Sequence, residues 1–98
     1  ESFSVDLGVV PDSSILEKRL IKLVSEHNIL RIKGFLNRPD RDRREIIQGV
    51  GPRFQRYFDR DWGADEARQS QLVIIGKTGL DQRAITQALN ATIMAHKP

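Results

Sequence analysis

The 98-residue sequence carries 16 Lys and Arg against 13 Asp and Glu, a formal net charge of +3, and no cysteine. A chain of this length buries roughly two thirds of its unfolded surface, so we expect one domain over residues 1–98. The composition excludes disulfides and thiolate metal sites, and no apolar run approaches a membrane span. We expect a cytoplasmic domain and, because the chain starts at Glu1 and not at Met, a piece of a longer protein, here called the parent.

The first two predicted elements are a strand and a helix. Apolar residues alternate with polar ones in Ser2–Val10, which predicts a half-buried strand that Pro11 ends. Ser14 and Glu17 then have the spacing of a capping box, and Asn28 is predicted to end the helix in a left-handed conformation. The buried stripe of this helix is predicted to contain Leu16, Leu20, Leu23 and Val24.

Residues 29–62 organise the prediction, because they contain two or three consecutive antiparallel strands. Two apolar runs, Ile29–Leu36 and Glu45–Val50, are joined by a polar turn at residues 37–40, which predicts a hairpin. Nine of the 16 Lys and Arg lie between positions 31 and 60, against four acidic residues, so positive charge is concentrated here. In the first run, alternation predicts one face with Leu30, Ile32, Gly34 and Leu36 and an opposite face with Arg31, Lys33 and Phe35.

The next segment, residues 53–62, is ambiguous between a helix and a strand. Phe54, Tyr57 and Phe58 have helical spacing. Aromatic richness and the position directly after a hairpin favour a strand instead. We therefore predict a third strand.

A strand and a helix close the chain. Gln71–Gly76 contains a continuous run of branched apolar residues, which is typical of a strand that is covered on both sides or central in its sheet. A turn at residues 77–79 and a cap at Asp81 introduce a helix whose inner stripe is predicted to contain Ile85, Ala88, Leu89 and Ile93. The order is β-α-β-β-β-β-α or one strand fewer. We predict an α+β fold, a single two-layer domain with a largely antiparallel four- to five-stranded sheet and two helices packed on it.

Gly76-Lys77-Thr78 ends as a phosphate-binding loop ends, between a strand and a helix. That motif also requires a glycine at position 71, which is Gln71, and a flexible cradle where this chain has a strand. A tight strand-to-helix turn explains the same residues. We expect the isolated domain neither to bind nor to hydrolyse GTP.

No residue pattern indicates a metal site or a catalytic centre. His27 and His96 lack a second ligand at helical spacing, so we expect no tight site for cobalt or zinc. Asp59 and Asp61 flank Arg60 as an acid and a base would, but alternating charges at a strand end are usually solvated. No Ser, Thr or Lys has a sequence context that marks an activating base.

Arginines beside aromatic residues in RFQRYF admit three interpretations, and in the plainest one the arginines are solvated while aromatic residues such as Phe54, Phe58, Tyr57 and Trp62 lie in the core. Arginine can contact phosphate while aromatic rings stack on bases, which suggests a small nucleic-acid-binding domain using the arginine-rich hairpin. Protein interfaces also favour arginine, tyrosine and tryptophan. We expect a partner-binding surface formed by Arg53, Arg56, Tyr57, Arg60 and Trp62.

Solvated arginines would contribute little to stability. We therefore expect Arg56→Glu with Arg60→Glu to leave the melting transition nearly unchanged while altering the parent's activity or client capture.

Three stretches, RIKGFL, QGVGPRFQRYFDRDW and SQLVIIGKTGLDQRAITQAL, closely resemble the C-terminal domain of CobW-type proteins, the cobalamin-synthesis branch of a family of GTP-dependent metallochaperones. The resemblance covers nearly the whole chain. Its most specific parts are the turn at residues 48–51 leading to residues 57–60 and Trp62, and the strand at residues 72–76 followed by Leu80, Asp81 and Ile85.

The resemblance implies an α+β domain that regulates a GTPase or contacts a client, with no catalytic, cofactor or metal residue of its own. GTP, Mg and a transition metal, cobalt in the CobW case, are then expected in the parent's N-terminal GTPase domain. The implied partners are that GTPase domain and a client metalloenzyme or chelatase, with no membrane. The nucleic-acid-binding domain stays the alternative, and a free-standing GTPase would require the loop rejected above.

Overall fold

A computed structural model describes residues 1–95 of the chain. Seven elements follow one another in the predicted order β-α-β-β-β-β-α. They are β1 (Ser2–Gly8), α1 (Ser13–Glu26), β2 (Ile29–Leu36), β3 (Arg43–Val50), β4 (Arg53–Asp61), β5 (Ser70–Gly76) and α2 (Gln82–Ala95). The segment that was ambiguous between helix and strand is therefore a strand, β4.

The five strands form one sheet in the order β1-β5-β2-β3-β4, and every neighbouring pair is antiparallel. This confirms the α+β fold. Strand β5, last in the chain, inserts between β1 and β2 and so has a partner on both sides. Strands β1 and β4 are the edges of the sheet.

Both helices pack on the same face of the sheet. Val5 lies opposite Leu72, and Ile32 lies opposite Ile74, so these side chains point to one side. The apolar stripes of the helices, predicted from their spacing, cover them: α1 buries Leu16, Leu20 and Leu23, and α2 buries Ile85, Leu89 and Ile93. One continuous core results.

Of the two alternatives predicted for β5, the position inside the sheet is confirmed, whereas cover on both faces is wrong for the residues described. Leu72 and Ile74 are fully buried under the helices, whereas Val73 and Ile75 lie on the opposite face and are half-buried. No helix among residues 1–95 packs on that second face, which we call the open face, and Trp62 packs against Phe35 at one end of it.

The alternation predicted for β2 is correct except at its start. Ile32 and Leu36 point to the core and Arg31, Lys33 and Phe35 to the open face, but Leu30 is 48% exposed. The register with β5 shifts between Ile29 and Arg31, and this irregularity places Ile29 in the core in place of Leu30. A prediction from strict two-residue alternation does not detect such a shift of register.

The predicted caps of α1 are also wrong. Asp12, and not Ser14, is the N-cap, and its Oδ1 accepts hydrogen bonds from the amides of Ser14 and Ile15 at 2.9 and 3.2 Å. Asn28 is not left-handed, because among residues 1–95 only glycines have a positive φ, and the C-cap, His27, is extended. Gly51 does adopt such a conformation, at φ +57°, in the tight turn between β3 and β4.

Candidate interaction surface

Pairing across the sheet arranges the side chains of the open face in three rows. Residues directly opposite each other on antiparallel strands share a face, and successive rows are two residues apart along each strand. Row 1 contains Ser2, Ile75, Arg31, Val50 and Arg53; row 2 contains Ser4, Val73, Lys33, Gln48 and Gln55; row 3 contains Asp6, Gln71, Phe35, Ile46 and Tyr57.

Rows 1 and 2 form a cationic region without a carboxylate. Arg31 and Arg53 flank Val50 in row 1, and Lys33 lies between Val73 and Gln48 in row 2. None of these three cations forms an ion pair or hydrogen bond among the described residues. A cavity of about 400 Å³ opens beside two of them, Arg31 and Arg53, and its lining also includes Gln48, Val50, Phe54 and Gln55.

Row 3 is aromatic and less charged. Phe35 packs edge-on against Trp62, with ring centroids 6.1 Å apart and planes at 76°, and the guanidinium of Arg44 lies 5.2 Å from the Phe35 ring centroid. Tyr57 is 46% exposed at the outer end of the row. Asp6, the acidic residue of row 3, accepts a hydrogen bond from the side-chain amide of Gln71 at 3.0 Å.

The five residues predicted to bind a partner do not form one surface. Arg53 and Tyr57 are exposed together on the open face of β4. Arg56 lies on the helix face of the same strand, and Arg60 makes a two-fold contact with Glu66, with both N···O distances 2.8 Å. Trp62 is only 7% exposed, and its indole N–H has no acceptor in the described part of the chain.

Arg56 belongs to a partly buried ionic network that ties α1 to the sheet. It donates to Glu17 at 2.9 Å and to the Ser13 hydroxyl at 2.7 Å, and it lies 3.6 Å from Glu45. Arg38 completes the network from the hairpin turn, donating to Glu45 at 3.0 Å and to Ser13 at 2.7 Å. The Glu45 side chain is only 5% exposed, so its charge depends on these two arginines for compensation.

We expect Arg56→Met to lower the free energy of unfolding by about 1 to 3 kcal/mol, because Ser13, Glu17 and Glu45 would each lose a donor or counter-charge. Arg53→Met, on the same strand but without a partner, should change it by at most about 0.5 kcal/mol. Urea unfolding of both variants measures the difference. Equal losses of unfolding free energy in the two variants would contradict the network. The loss expected at Arg56 replaces the sequence-based expectation that charge reversal at this position leaves the melting transition nearly unchanged.

Most other arginines of the hairpin region are also matched to carboxylates. Arg44 pairs with Asp59, and Arg68 pairs with Asp42 at 3.0 Å. Arg43 lies 3.7 Å from Asp61. Asp59 and Asp61, which the sequence suggested as a possible acid–base pair, therefore each form an ion pair with an arginine. Arginines compensated in this way are poor phosphate ligands, which weighs against the nucleic-acid interpretation.

Hydrogen bonds from arginine also shift two carboxylate pKa values. The Arg60 side chain, assisted by the Gly63 amide, lowers the pKa of Glu66 from 4.5 to about 2. The Arg44 side chain lowers the pKa of Asp59 below its ordinary value. In both cases the partner favours the charged form of the acid.

The lowered pKa of Glu66 gives an expected pH dependence. The folded state binds the proton less tightly than the unfolded chain does, so Glu66 stabilises the fold above pH 4.5 and loses this effect as the pH falls to about 2. The difference in unfolding free energy between the wild type and Glu66→Gln should therefore shrink over this range in urea titrations. Asp65→Asn, which removes an unpaired carboxylate from the same loop, is the control, and a difference that persists at low pH would contradict an electrostatic origin.

The loop at residues 76–79 is built as a turn. The Lys77 amide donates to the Asn28 carbonyl at 3.0 Å, so it already has an acceptor, and Gly79 has a φ of +95°. α2 begins only at Gln82, with Asp81 accepting from the Ala84 amide at 3.1 Å as predicted for a cap. This geometry agrees with the interpretation of Gly76-Lys77-Thr78 as a strand-to-helix connection.

Within residues 1–95, no three His, Asp or Glu side chains converge as a metal site would require. His27 is the C-cap of α1, and His96 lies outside the described residues. The same part of the chain holds no helix that combines the length and the apolar character of a membrane span.

Comparison with known proteins decides the family. The family model described as "Cobalamin synthesis protein cobW C-terminal domain" matches residues 2–93. The chain belongs to the CobW C-terminal domain family. The resemblance stated from the sequence is thereby confirmed over almost the whole chain.

Relatives of this CobW C-terminal domain are named zinc chaperones. The protein "Zinc chaperone CobW" of Pseudomonas aeruginosa is 51% identical over 92 residues, and that of a Sinorhizobium species is 41% identical over 93 residues. These matches cover 94% and 95% of this chain but 24% and 26% of the relatives. The domain thus spans about a quarter of the length of the curated relatives it matches.

Two solved structures share the fold. The Zn(II)-bound YjiA GTPase from E. coli superposes with a TM-score of 0.75, and a Zn(II)-bound triple mutant of YjiA with 0.76, both at 28% identity. Each match covers 94% of this chain and 29% of the other chain.

Sequence reasoning missed two features of the surface. The network around Glu45 was not predicted, although a glutamate two residues before the buried Ile47 in an alternating strand signals an inward-pointing charge. The unpaired state of Arg31 and Lys33 was also missed. A signal was present here too, since the facing run of β3 offers Gln48 and Val50 and no acid.

Proposed function

We propose that this CobW C-terminal domain is a non-catalytic protein-interaction module at the C-terminal end of a longer, GTP-dependent metal chaperone. The observation that carries the proposal is the match to zinc chaperones over 94–95% of this chain and only about a quarter of theirs. In this proposal GTP and Mg bind to an upstream GTPase domain, and the present domain regulates that domain or contacts a client in the cytoplasm.

The cargo metal we propose is zinc. The family resemblance suggested cobalt, but the relatives at 51% and 41% identity carry zinc in their names, and the YjiA structures are described as Zn(II)-bound. Metal transfer from the parent to a chromogenic chelator, measured with zinc and with cobalt, distinguishes the two. Faster GTP-dependent transfer of cobalt than of zinc would overturn this assignment.

The contact residues we propose are those of the original five that have no partner among residues 1–95. Arg53 and Tyr57 are both exposed on the open face of β4, with Gln55 between them, whereas Arg56, Arg60 and Trp62 contact other residues of the chain. Arginine and tyrosine are among the residue types that contribute most to protein interfaces.

The test compares two double variants of the parent. Arg53→Glu with Tyr57→Ala alters the open face, and Lys18→Glu with Lys22→Glu alters the exposed side of α1 as the control. Only the first is expected to change GTP turnover or metal transfer, and neither should change the stability of this domain by more than about 0.5 kcal/mol per residue. Unchanged turnover and transfer in the first variant would contradict the proposal.

A further inference from the structure

We propose that the open face is covered by an acidic amphipathic helix from the part of the parent that lies outside these 98 residues. The inference rests on the proposed function and specifies the chemistry of its partner. The helix would place apolar residues on Val73, Ile75 and Ile46 and carboxylates beside the three cations of rows 1 and 2.

The composition of β5 favours a second apolar layer. Strands that are buried on both faces have continuous apolar sequences, whereas strands with one wet face alternate. Residues 72–75 are all apolar, yet only Leu72 and Ile74 lie under α1 and α2. Val73 and Ile75 are half-buried on the open face, as is Ile46 on β3, so apolar surface remains there without a cover from residues 1–95.

The charges of the open face specify an acidic cover. Carboxylates inside the chain form ion pairs with the arginines at positions 38, 43, 44, 56, 60 and 68. Some of these pairs lie on the helix face of the sheet and others in the loops. Arg31, Lys33 and Arg53 differ, because they share the open face with no carboxylate in their two rows. Complementary charges on the covering element would compensate them and fix its position.

A helix from the same protein fits this face better than a second copy of the chain does. Sheets bury an apolar face against a layer of helices or another sheet. Two copies meeting through their open faces would bring Arg31, Lys33 and Arg53 against like charges, which is unfavourable. The relatives provide the necessary length, since about three quarters of each lies outside the region that matches this chain.

The test measures cysteine labelling in the full-length parent. Gln55→Cys lies in row 2 between Arg53 and Tyr57, and Gln87→Cys lies on the exposed side of α2; both glutamines are neutral and exposed in this domain. Peptide mass spectrometry after maleimide labelling reads each position separately from any native cysteine. Labelling at position 55 is expected to be at least about tenfold slower than at position 87, with each rate divided by that of the urea-denatured protein.

Charge variants then identify the cover as acidic. Lys33→Glu in the Gln55→Cys background should accelerate labelling at position 55, because it would repel the carboxylates, whereas Lys22→Glu on α1 should leave it unchanged. Nearby arginines favour the reactive thiolate, so slow labelling at position 55 would not arise from their charge.

Three outcomes would overturn the inference. These are equal labelling at positions 55 and 87, slow labelling that is insensitive to Lys33→Glu and Arg31→Glu, and slow labelling that becomes fast on dilution, as expected for a second copy. If labelling is fast while Arg53→Glu with Tyr57→Ala still changes GTP turnover or metal transfer, the inference fails and the proposed function stands.

Discussion

Replacing Ile74 by alanine is expected to lower the free energy of unfolding by roughly 2 to 5 kcal/mol. Ile74 is fully buried in β5, between Phe3 of β1 and Ile32 of β2, and the helices cover it. Removing three carbon atoms leaves a cavity that the paired strands cannot close without losing their register. For a domain of this size, such a loss is a large part of the total stability.

Ile75→Ala is the matched control, because Ile75 follows directly in the same strand and points to the open face, where it is half-buried. In urea unfolding of the 98-residue chain, Ile75→Ala should lower the free energy of unfolding by clearly less than Ile74→Ala does. Equal losses at positions 74 and 75 would contradict the assignment of the core to one face of the sheet.

Gly34→Ala should be comparably damaging, at roughly 3 kcal/mol or more, because the added methyl group would collide with backbone. A Cβ at position 34 would meet the carbonyl oxygen of Gln71 and lie 2.9 Å from the Leu72 Cα. Both atoms belong to β5, which is held by ladders on two sides, so the strands cannot separate locally.

Gly63→Ala is the control for this substitution. The added Cβ would lie 3.5 Å from the Glu66 side chain, an ordinary contact, and Gly63 has no positive φ. We expect an effect between no change and a gain of about 1 kcal/mol from the less flexible unfolded chain. A Gly34 variant as stable as the Gly63 variant, by thermal and urea unfolding, would contradict the close approach of β2 to β5.

Local patterns were sufficient to predict the order of the elements. Alternation in β1, helical spacing in α1 and α2 and the apolar run of β5 depend on which face each residue buries, and that information is present in the sequence. The failures involve features without a period. The shifted register beside Ile29 exposes Leu30, and Asp12 displaces Ser14 as N-cap because its carboxylate reaches two amides.

The candidate surface was predictable only in part, because arginine composition does not reveal pairing. Arg53 and Arg56 each directly precede an aromatic residue, but they lie on opposite faces of β4, and only Arg56 meets carboxylates from α1 and β3. The row that places Arg53 beside Val50 and Arg31 combines three strands, and its register is a tertiary property. Sequence therefore indicated the strand and not the surface.

The most direct test of the account is a phosphate-release assay with Mg-GTP on the 98-residue chain and on the parent, run side by side. We predict no turnover by the chain alone, since a phosphate cradle needs several free backbone donors and the Lys77 amide is engaged with the Asn28 carbonyl. The parent should turn over GTP at a rate that Arg53→Glu with Tyr57→Ala alters. Turnover by the 98-residue chain that Lys77→Ala abolishes would contradict the claim that this domain acts through contact alone.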